Sequence, residues 1–291
     1  MVTDAEDDKP QIVVTSTILA DLVATVSGDE AVVESLLAPG DDPHIYEPIP
    51  QDTVALERAD VVFYNGYNLE PELIRIIEGT SVSAEKVALG EAIEPLSFQY
   101  QGQTEPDPHV WGDVTNAIAM VEMIRATLVE LDPDSEATYA ENAEQLVAEL
   151  SKLDAWIEVQ IDTIPSDQRL LVTTHDAFQY YTSAYGLEML GTLIGISTEE
   201  QPSAQTVQRL VEAIENADVP AIFAETTINP QLIRTVAEEA GVKLAPNELY
   251  SDSLGRSDSD GNSYLNMMVA NTRTIVTALE GEVQPFAPNQ P

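Results

Sequence analysis

The sequence contains no cysteine. Disulfides, thiolate metal sites and cysteine nucleophiles are all excluded by that one absence. Positive charge is nearly as scarce. Twelve Lys and Arg stand against 51 Asp and Glu, for a formal net charge of −39. Such a chain repels nucleic-acid phosphates and anionic membrane surfaces, so no nucleic-acid partner is expected. It attracts cations over long range, and only weakly in high salt. The acids are spread along the whole chain, which favours a solubility adaptation to salty surroundings over the alternative of a dedicated cation funnel. No apolar run approaches the roughly 18 residues that a membrane-spanning helix needs. Met1–Pro10 is acidic and polar, unlike a secretory signal. If the protein is exported, its signal has been removed, and a lipid-bearing cysteine could have gone with it. Neither an HExxH motif, a Gly-rich phosphate loop nor a Ser-His-Asp signature is present, so no enzymatic activity is expected. The loop RSDSDGN (256–262) fails the calcium-loop pattern, because Arg256 takes the first ligand position and the distal Glu is missing. It reads as an exposed loop, as does the Pro-rich tail after Gln284.

What is present is an ordinary globular composition, 44% hydrophobic and 22% charged, over 291 residues. At about 150 residues per domain, that length suggests two domains. The first half alternates strand-like and helix-like segments: Gln11–Thr15, a helix over 18–26 with Thr17 as cap, Ala31–Leu37, a helix over 52–58, Asp60–Tyr64, a helix over 71–78, and Lys86–Leu89. A βα repeat of this kind predicts a parallel sheet covered by helices. The second half repeats the theme. Strands are predicted at Arg169–Thr173, Leu187–Ile194, Pro220–Ala224 and Val242–Ala245. Helices are predicted from Ala177, over 203–215 with Ser203 as cap, over 230–240 between Pro230 and Gly241, and over 262–279. Between the halves, Leu146, Leu150, Leu153, Ile157, Ile161 and Ile164 recur at steps of 4, 3, 4, 4 and 3, which puts them on one helical face. A helix over 137–164 would be about 42 Å long at roughly 1.5 Å per residue, a stiff connector long enough to run along two lobes. The expected division is 1–136, the linking helix 137–164, and 165–291.

The chain has only three histidines, His44, His109 and His175. Two share the tripeptide Asp-Pro-His (42–44 and 107–109), and the third follows the predicted strand at 169–173. All three fall in loops at the ends of predicted elements. Ligands of open α/β sheets bind at the carboxyl ends of strands, a rule His175 fits most clearly. The preceding prolines stiffen the other two loops. Imidazole nitrogen suits zinc, copper, nickel and iron and tolerates manganese. One carboxylate would complete a four-ligand cage, and by position Asp252 in YSDSLG (250–255) is the obvious one. Successive gaps of 65, 66 and 77 residues separate the four, so no local motif produces the set; only a fold could. Spacing alone does not pick one Asp from so many acids, and the histidines could still be ordinary hydrogen-bonded residues.

The stretches IVVTSTILADLVATVSGD (12–29), LLAPGDDPHIYEPIPQD (36–52), ADVVFYNGYNLE (59–70), DPHVWGDVTNA (107–117), LLVTTHDAFQYYTSAYGL (170–187), PSAQTVQRL (202–210), AIFAETTINPQLI (221–233), ELYSDSLG (248–255) and SYLNMMVANTRTIVTAL (263–279) add a second argument. Together and in this order they resemble the metal-binding solute receptors of zinc and manganese ABC importers, the cluster A-I (cluster 9) family. The resemblance spans nearly the whole chain. It implies an α/β fold of two Rossmann-like lobes with parallel sheets, joined by one long rigid helix, with the metal between them. It implies His44 and His109 as ligands from the first lobe, and His175, at a position that is His or Glu in the family, from the second. Asp252 matches the family's carboxylate ligand. Glu225, in AETTINP, matches a recurrent acid that would fix a ligand from behind. Gly112 and Val114 depart from the commoner Leu and Pro after the second His motif, which puts the local loop shape in question. The His-rich loop of many zinc receptors is missing between His44 and His109.

Within the resemblance, three histidines imply zinc, whereas His, His, Glu and Asp tend to imply manganese. Zinc is therefore the expected cargo, with manganese the alternative. The implied setting is extracytoplasmic, in a periplasm or at a cell surface, and the implied partner is an ABC importer permease. The chain is expected to be a monomer. A metal-binding surface adhesin is a compatible second role. Motion of the second lobe would close the site, and capture should weaken as pH falls through the imidazole range.

Overall fold

In a computed structural model of the chain, residues 9–79, 83–100 and 103–287 are described. The acidic segment Met1–Asp8 and the last four residues, about which the sequence raised expectations, lie outside them. The first βα repeat forms as β1 (Gln11–Val14), α1 (Thr17–Ser27), β2 (Val32–Ser35), α2 (Pro50–Arg58), β3 (Val61–Tyr64), α3 (Pro71–Gly79) and β4 (Glu85–Ala88). The strands make one parallel sheet in the order β2-β1-β3-β4. Its central strands read as unbroken apolar runs because helices cover both faces of such a sheet. Val13 and Val62 pack with Leu56 of α2 and Ile77 of α3. Each such burial contributes about 1.5–3 kcal/mol. The cap of α1 is Ser16, not Thr17: the Ser16 hydroxyl oxygen accepts from the Leu19 N–H at 3.3 Å. Either hydroxyl could serve by residue type, and the extended backbone of the residue before the helix decides it.

Two elements lie beyond the sequence reading. An antiparallel hairpin pairs β5 (Ser97–Tyr100) with β6 (Gln103–Pro106). It then leads into α4 (Val114–Leu131), whose buried Val114, Ala117, Met120, Val121, Ile124 and Leu128 keep helical spacing. The long helix α5 (Glu136–Ile161) follows. All six apolar positions read from the sequence are buried, and Val159 on the opposite face is exposed. The helix stops three residues short of the expected Ile164. Thr163 and Ile164 donate to Gln160 and Ile161 in tightened i→i−3 bonds, and Pro165 then prevents continuation.

The second repeat comprises β7 (Leu170–Thr173), α6 (Gln179–Tyr185), β8 (Glu188–Thr192), α7 (Ala204–Ala217), β9 (Ala221–Ile222), α8 (Gln231–Ala240), β10 (Lys243–Leu244) and α9 (Tyr264–Ala278). Strands β7 and β8 pair in parallel, as do β9 and β10. The Phe223 N–H donates to Val172 O at 2.9 Å, which sets the two pairs edge to edge as β8-β7-β9-β10. Strands β9 and β10 are two residues each, shorter than predicted, because beyond them only single bonds such as Ala245 N to Ile222 O continue the ladder. Ser203 caps α7 as expected. Gly241 ends α8 at φ +67°, a left-handed turn that glycine adopts without strain. The tail is less detached than the sequence suggests. The Trp156 indole of α5 donates to Gln284 O at 3.0 Å and meets Phe286 edge-on at 5.5 Å.

The chain divides into two compact α/β units. One runs through Val110 and adds Val114–Ser151; the other takes Trp111–Asp113 and the chain from Lys152 onward. The division falls inside α5. No helix among the described residues is long and apolar enough to cross a membrane.

Candidate metal centre

In the first unit, His44 lies in the loop between β2 and α2, and His109 follows β6. Both are buried, at 5% and 0% exposure. The two Asp-Pro-His tripeptides fold alike. Asp42 Oδ1 accepts the main-chain N–H of His44 at 2.9 Å, and Asp107 Oδ1 accepts that of His109 at 3.0 Å. An aspartate that bonds the backbone two residues on makes its own tight turn. The aspartates, and not the prolines alone, therefore hold these histidines. Asp107 Oδ1 also accepts from the His109 ring at Nδ1, 2.8 Å away. With Nδ1 carrying the proton, His109 presents its Nε2 lone pair. His44 Nε2 lies 3.2 Å from His109 Nε2.

In the second unit, His175 sits two residues past β7, and Glu225 three residues past β9. A parallel bridge between Glu225 and Leu249 leads the chain toward Asp252. All three residues are at most 1% exposed. Glu225 Oε1 accepts the His175 main-chain N–H at 2.8 Å, and Oε2 accepts from ring Nδ1. On the ring's other side, His175 Nε2 lies 3.1 Å from Asp252 Oδ2. Burial alone would push this imidazole down. The Glu225 and Asp252 carboxylates outweigh it and hold His175 well above its usual range. The two flanking carboxylates thus favour a positive charge at this ring. A divalent cation facing Nε2 and Oδ2 can supply that charge.

The donor spacing suits a metal. At metal–nitrogen distances of about 2.0–2.1 Å, the edge of a coordination tetrahedron is about 3.3 Å. The His44–His109 pair at 3.2 Å and the His175–Asp252 pair at 3.1 Å each match such an edge. Deep burial of histidine and aspartate side chains with converging donor atoms is costly unless the groups are paired or ligated.

The family described as "Zinc-uptake complex component A periplasmic" matches residues 12–278. The chain belongs to this family. Among its relatives, the manganese-binding lipoprotein MntA of Halalkalibacterium halodurans is 35% identical over 277 residues, covering 95% of this chain and 91% of that protein. The manganese ABC transporter substrate-binding lipoprotein scaA of Streptococcus gordonii is 30% identical over 284 residues, with 95% and 91% covered. Among solved structures, the periplasmic zinc binding protein TroA from Treponema pallidum superposes with a TM-score of 0.88 at 32% identity, over 93% of this chain and 99% of that one. The family and fold expected from the sequence are thereby confirmed.

Sequence reasoning missed some supporting residues. Trp111 belongs with the second unit although it lies two residues after His109. Its indole N–H donates to Ser251 O at 3.0 Å, next to Asp252, and its carbonyl accepts from the Tyr264 hydroxyl at 2.7 Å. Gly112 fits the same packing, since a Cβ there would lie 3.1 Å from Tyr181 N. The departure from the family's commoner Leu is thus accommodated by close backbone approach. Trp111 and Tyr264 could have been flagged as buried aromatics needing polar partners. Their partners could not.

Proposed function

We propose that this metal-binding receptor of an ABC importer carries zinc, and that one ion draws its donors from both pairs: His44, His109, His175 and Asp252. The spacing argument carries the proposal. The four corners of a tetrahedron divide into two pairs that form opposite edges, and each unit supplies one donor pair of edge length. The set amounts to three imidazole nitrogens and one carboxylate oxygen. A nitrogen-rich set of four suits zinc better than manganese, which prefers oxygen and a larger coordination number. Glu225 sits behind His175, fixing its orientation and raising its basicity, as outer carboxylates do for ligating histidines. The receptor works as an extracytoplasmic monomer, in a periplasm or at a cell surface, and delivers its cargo to a membrane permease. Residues 1–136 and 165–291 act as its two metal-binding lobes, with 137–164 as the link.

Manganese is the second reading, favoured by the manganese named in relatives such as MntA. The donor distances do not separate the two, because adjacent corners of an octahedron at about 2.1 Å lie about 3.0 Å apart. Competition does. Metal-stripped protein is titrated with zinc and with manganese by calorimetry at neutral pH. One equivalent of tight zinc, with manganese weak and displaced by it, is the expected result. Tight manganese binding that zinc does not displace moves the cargo to manganese. No stoichiometric binding of either overturns the assignment.

A further inference from the structure

The motif NGYNLE (65–70) is not absorbed by the donor set, yet its polar ends are among the most deeply buried groups of the first unit. Asn65 and Glu70 are 0% and 1% exposed. Between them Gly66, Tyr67 and Asn68 take φ of +83°, +50° and +59°. Consecutive non-glycine residues in the left-handed region are uncommon and persist where the surroundings demand them. This turn brings Glu70 back onto Asn65. Glu70 Oε1 accepts the Asn65 main-chain N–H at 2.7 Å and the Thr15 hydroxyl at 2.8 Å. Asn65 Nδ2 donates to Pro108 O at 2.9 Å and to Gly66 O at 3.1 Å. Pro108 O belongs to the peptide that enters His109. The seat is closed on another side by Gly90, where a Cβ would lie 2.6 Å from Asn65 O.

We propose that Asn65 is a positioning residue for the ligand His109, holding the Pro108–His109 peptide in place, and that Glu70 fixes Asn65 for that task. The proposal rests on the metal-receptor reading. Two further observations support it. Asn65 Oδ1 and Glu70 Oε2 are buried without a hydrogen-bond partner. Buried acceptors that no protein group satisfies are rare and call for a structural or functional reason. Burial also pushes the Glu70 carboxyl up to about 7, against the pull of the Asn65 and Thr15 bonds. Burial thus favours its neutral form, which glutamine imitates. The amide orientation of Asn65 is fixed by its contact, because the reversed amide would set oxygen against Pro108 O.

The test measures zinc affinity by chelator competition, and the visible spectrum of the cobalt-loaded protein, on variants shown to be folded. Asn65→Asp keeps the shape and removes the donor. It is expected to weaken zinc binding about 10–100-fold, the range for supporting residues, and to alter the cobalt bands. Glu70→Leu should act in the same direction, and Glu70→Gln should restore most of the loss. Asn65→Asp binding within about threefold of wild type, with an unchanged cobalt spectrum, overturns the proposal. Should Asn65→Asp fail to fold, Thr15→Val and Thr15→Ser decide instead. A loss with valine that serine restores supports the proposal, and identical binding by both overturns it. Failure of wild type to bind zinc, cobalt or manganese would remove the receptor reading and this inference together. Normal wild-type binding with an unaffected Asn65→Asp removes only the inference.

Discussion

The two units put a buried glutamate in the same seat and use it differently. The order β2-β1-β3-β4 repeats as β8-β7-β9-β10, so β1 corresponds to β7 and β3 to β9. After β3, Glu70 accepts the hydroxyl of Thr15, which follows β1; after β9, Glu225 accepts the backbone and ring N–H groups of His175, which follows β7. The partner decides the electrostatics. Facing only dipoles, Glu70 cannot offset its desolvation, and its carboxyl rises to about 7. In the other seat an imidazole faces Glu225 and Asp252, and the two carboxylates hold that imidazole well above its usual range. One seat becomes a near-neutral bracket, the other a charged clamp whose carboxylates favour a positive charge. A corresponding topological position thus supplies a scaffold in one unit and the support of a proposed ligand in the other.

The largest expected contrast comes from emptying the two seats. His175→Ala should lower zinc affinity on the order of 10³-fold, beyond the 10–100-fold of a supporting residue, whereas Thr15→Val should cost about tenfold. Equal losses in chelator competition would erase the distinction. Next comes the pH dependence of stability. Glu70 has a folded pKa raised from 4.5 to about 7, so its ionisation penalises the folded state. The penalty is absent below about 4.5, grows as pH rises, and is complete above about 7. It amounts to about 3 kcal/mol. Relative to wild type, Glu70→Gln should therefore gain about that much stability between pH 5 and pH 8, read from paired denaturant melts. A constant difference would mean that Glu70 does not titrate in this range.

Proton release is expected to be a smaller effect. The Glu225 and Asp252 carboxylates raise His175, so under the proposed assignment zinc displaces a proton there. Affinity should fall about tenfold per pH unit as pH drops below the raised His175 range. Calorimetry in buffers of different ionisation enthalpy should find about one proton released at pH 7, and none would contradict the clamp. The smallest effect is expected from Trp111→Phe. It removes one hydrogen bond to Ser251 O, worth about 1 kcal/mol of stability, with only a few-fold change in zinc affinity.

The sequence made the first donor pair legible through repetition. Two Asp-Pro-His tripeptides in a chain with three histidines mark one local structure used twice, and Asp42 and Asp107 do make the same turn. Asp252 was not legible from its neighbours, because one acid among 51 carries no signal and its value lies in a position past the Glu225–Leu249 bridge that the fold creates. Family resemblance supplied it, and Glu225 likewise. Helix α4 carries a legible periodicity at Val114, Ala117, Met120, Val121, Ile124 and Leu128. The hairpin β5–β6 carries no clean apolar alternation to read. The shortness of β9 and β10 depends on bonding partners far along the chain, which no local pattern encodes.

The central claim is that a single ion takes three imidazoles and one carboxylate, drawing on both pairs. X-ray absorption at the zinc edge of the singly loaded protein tests it directly. The account predicts four nitrogen or oxygen neighbours at about 2.0–2.1 Å with outer-shell scattering from three imidazoles. Scattering from only two imidazoles, or from one, would place the ion on a single pair and contradict it.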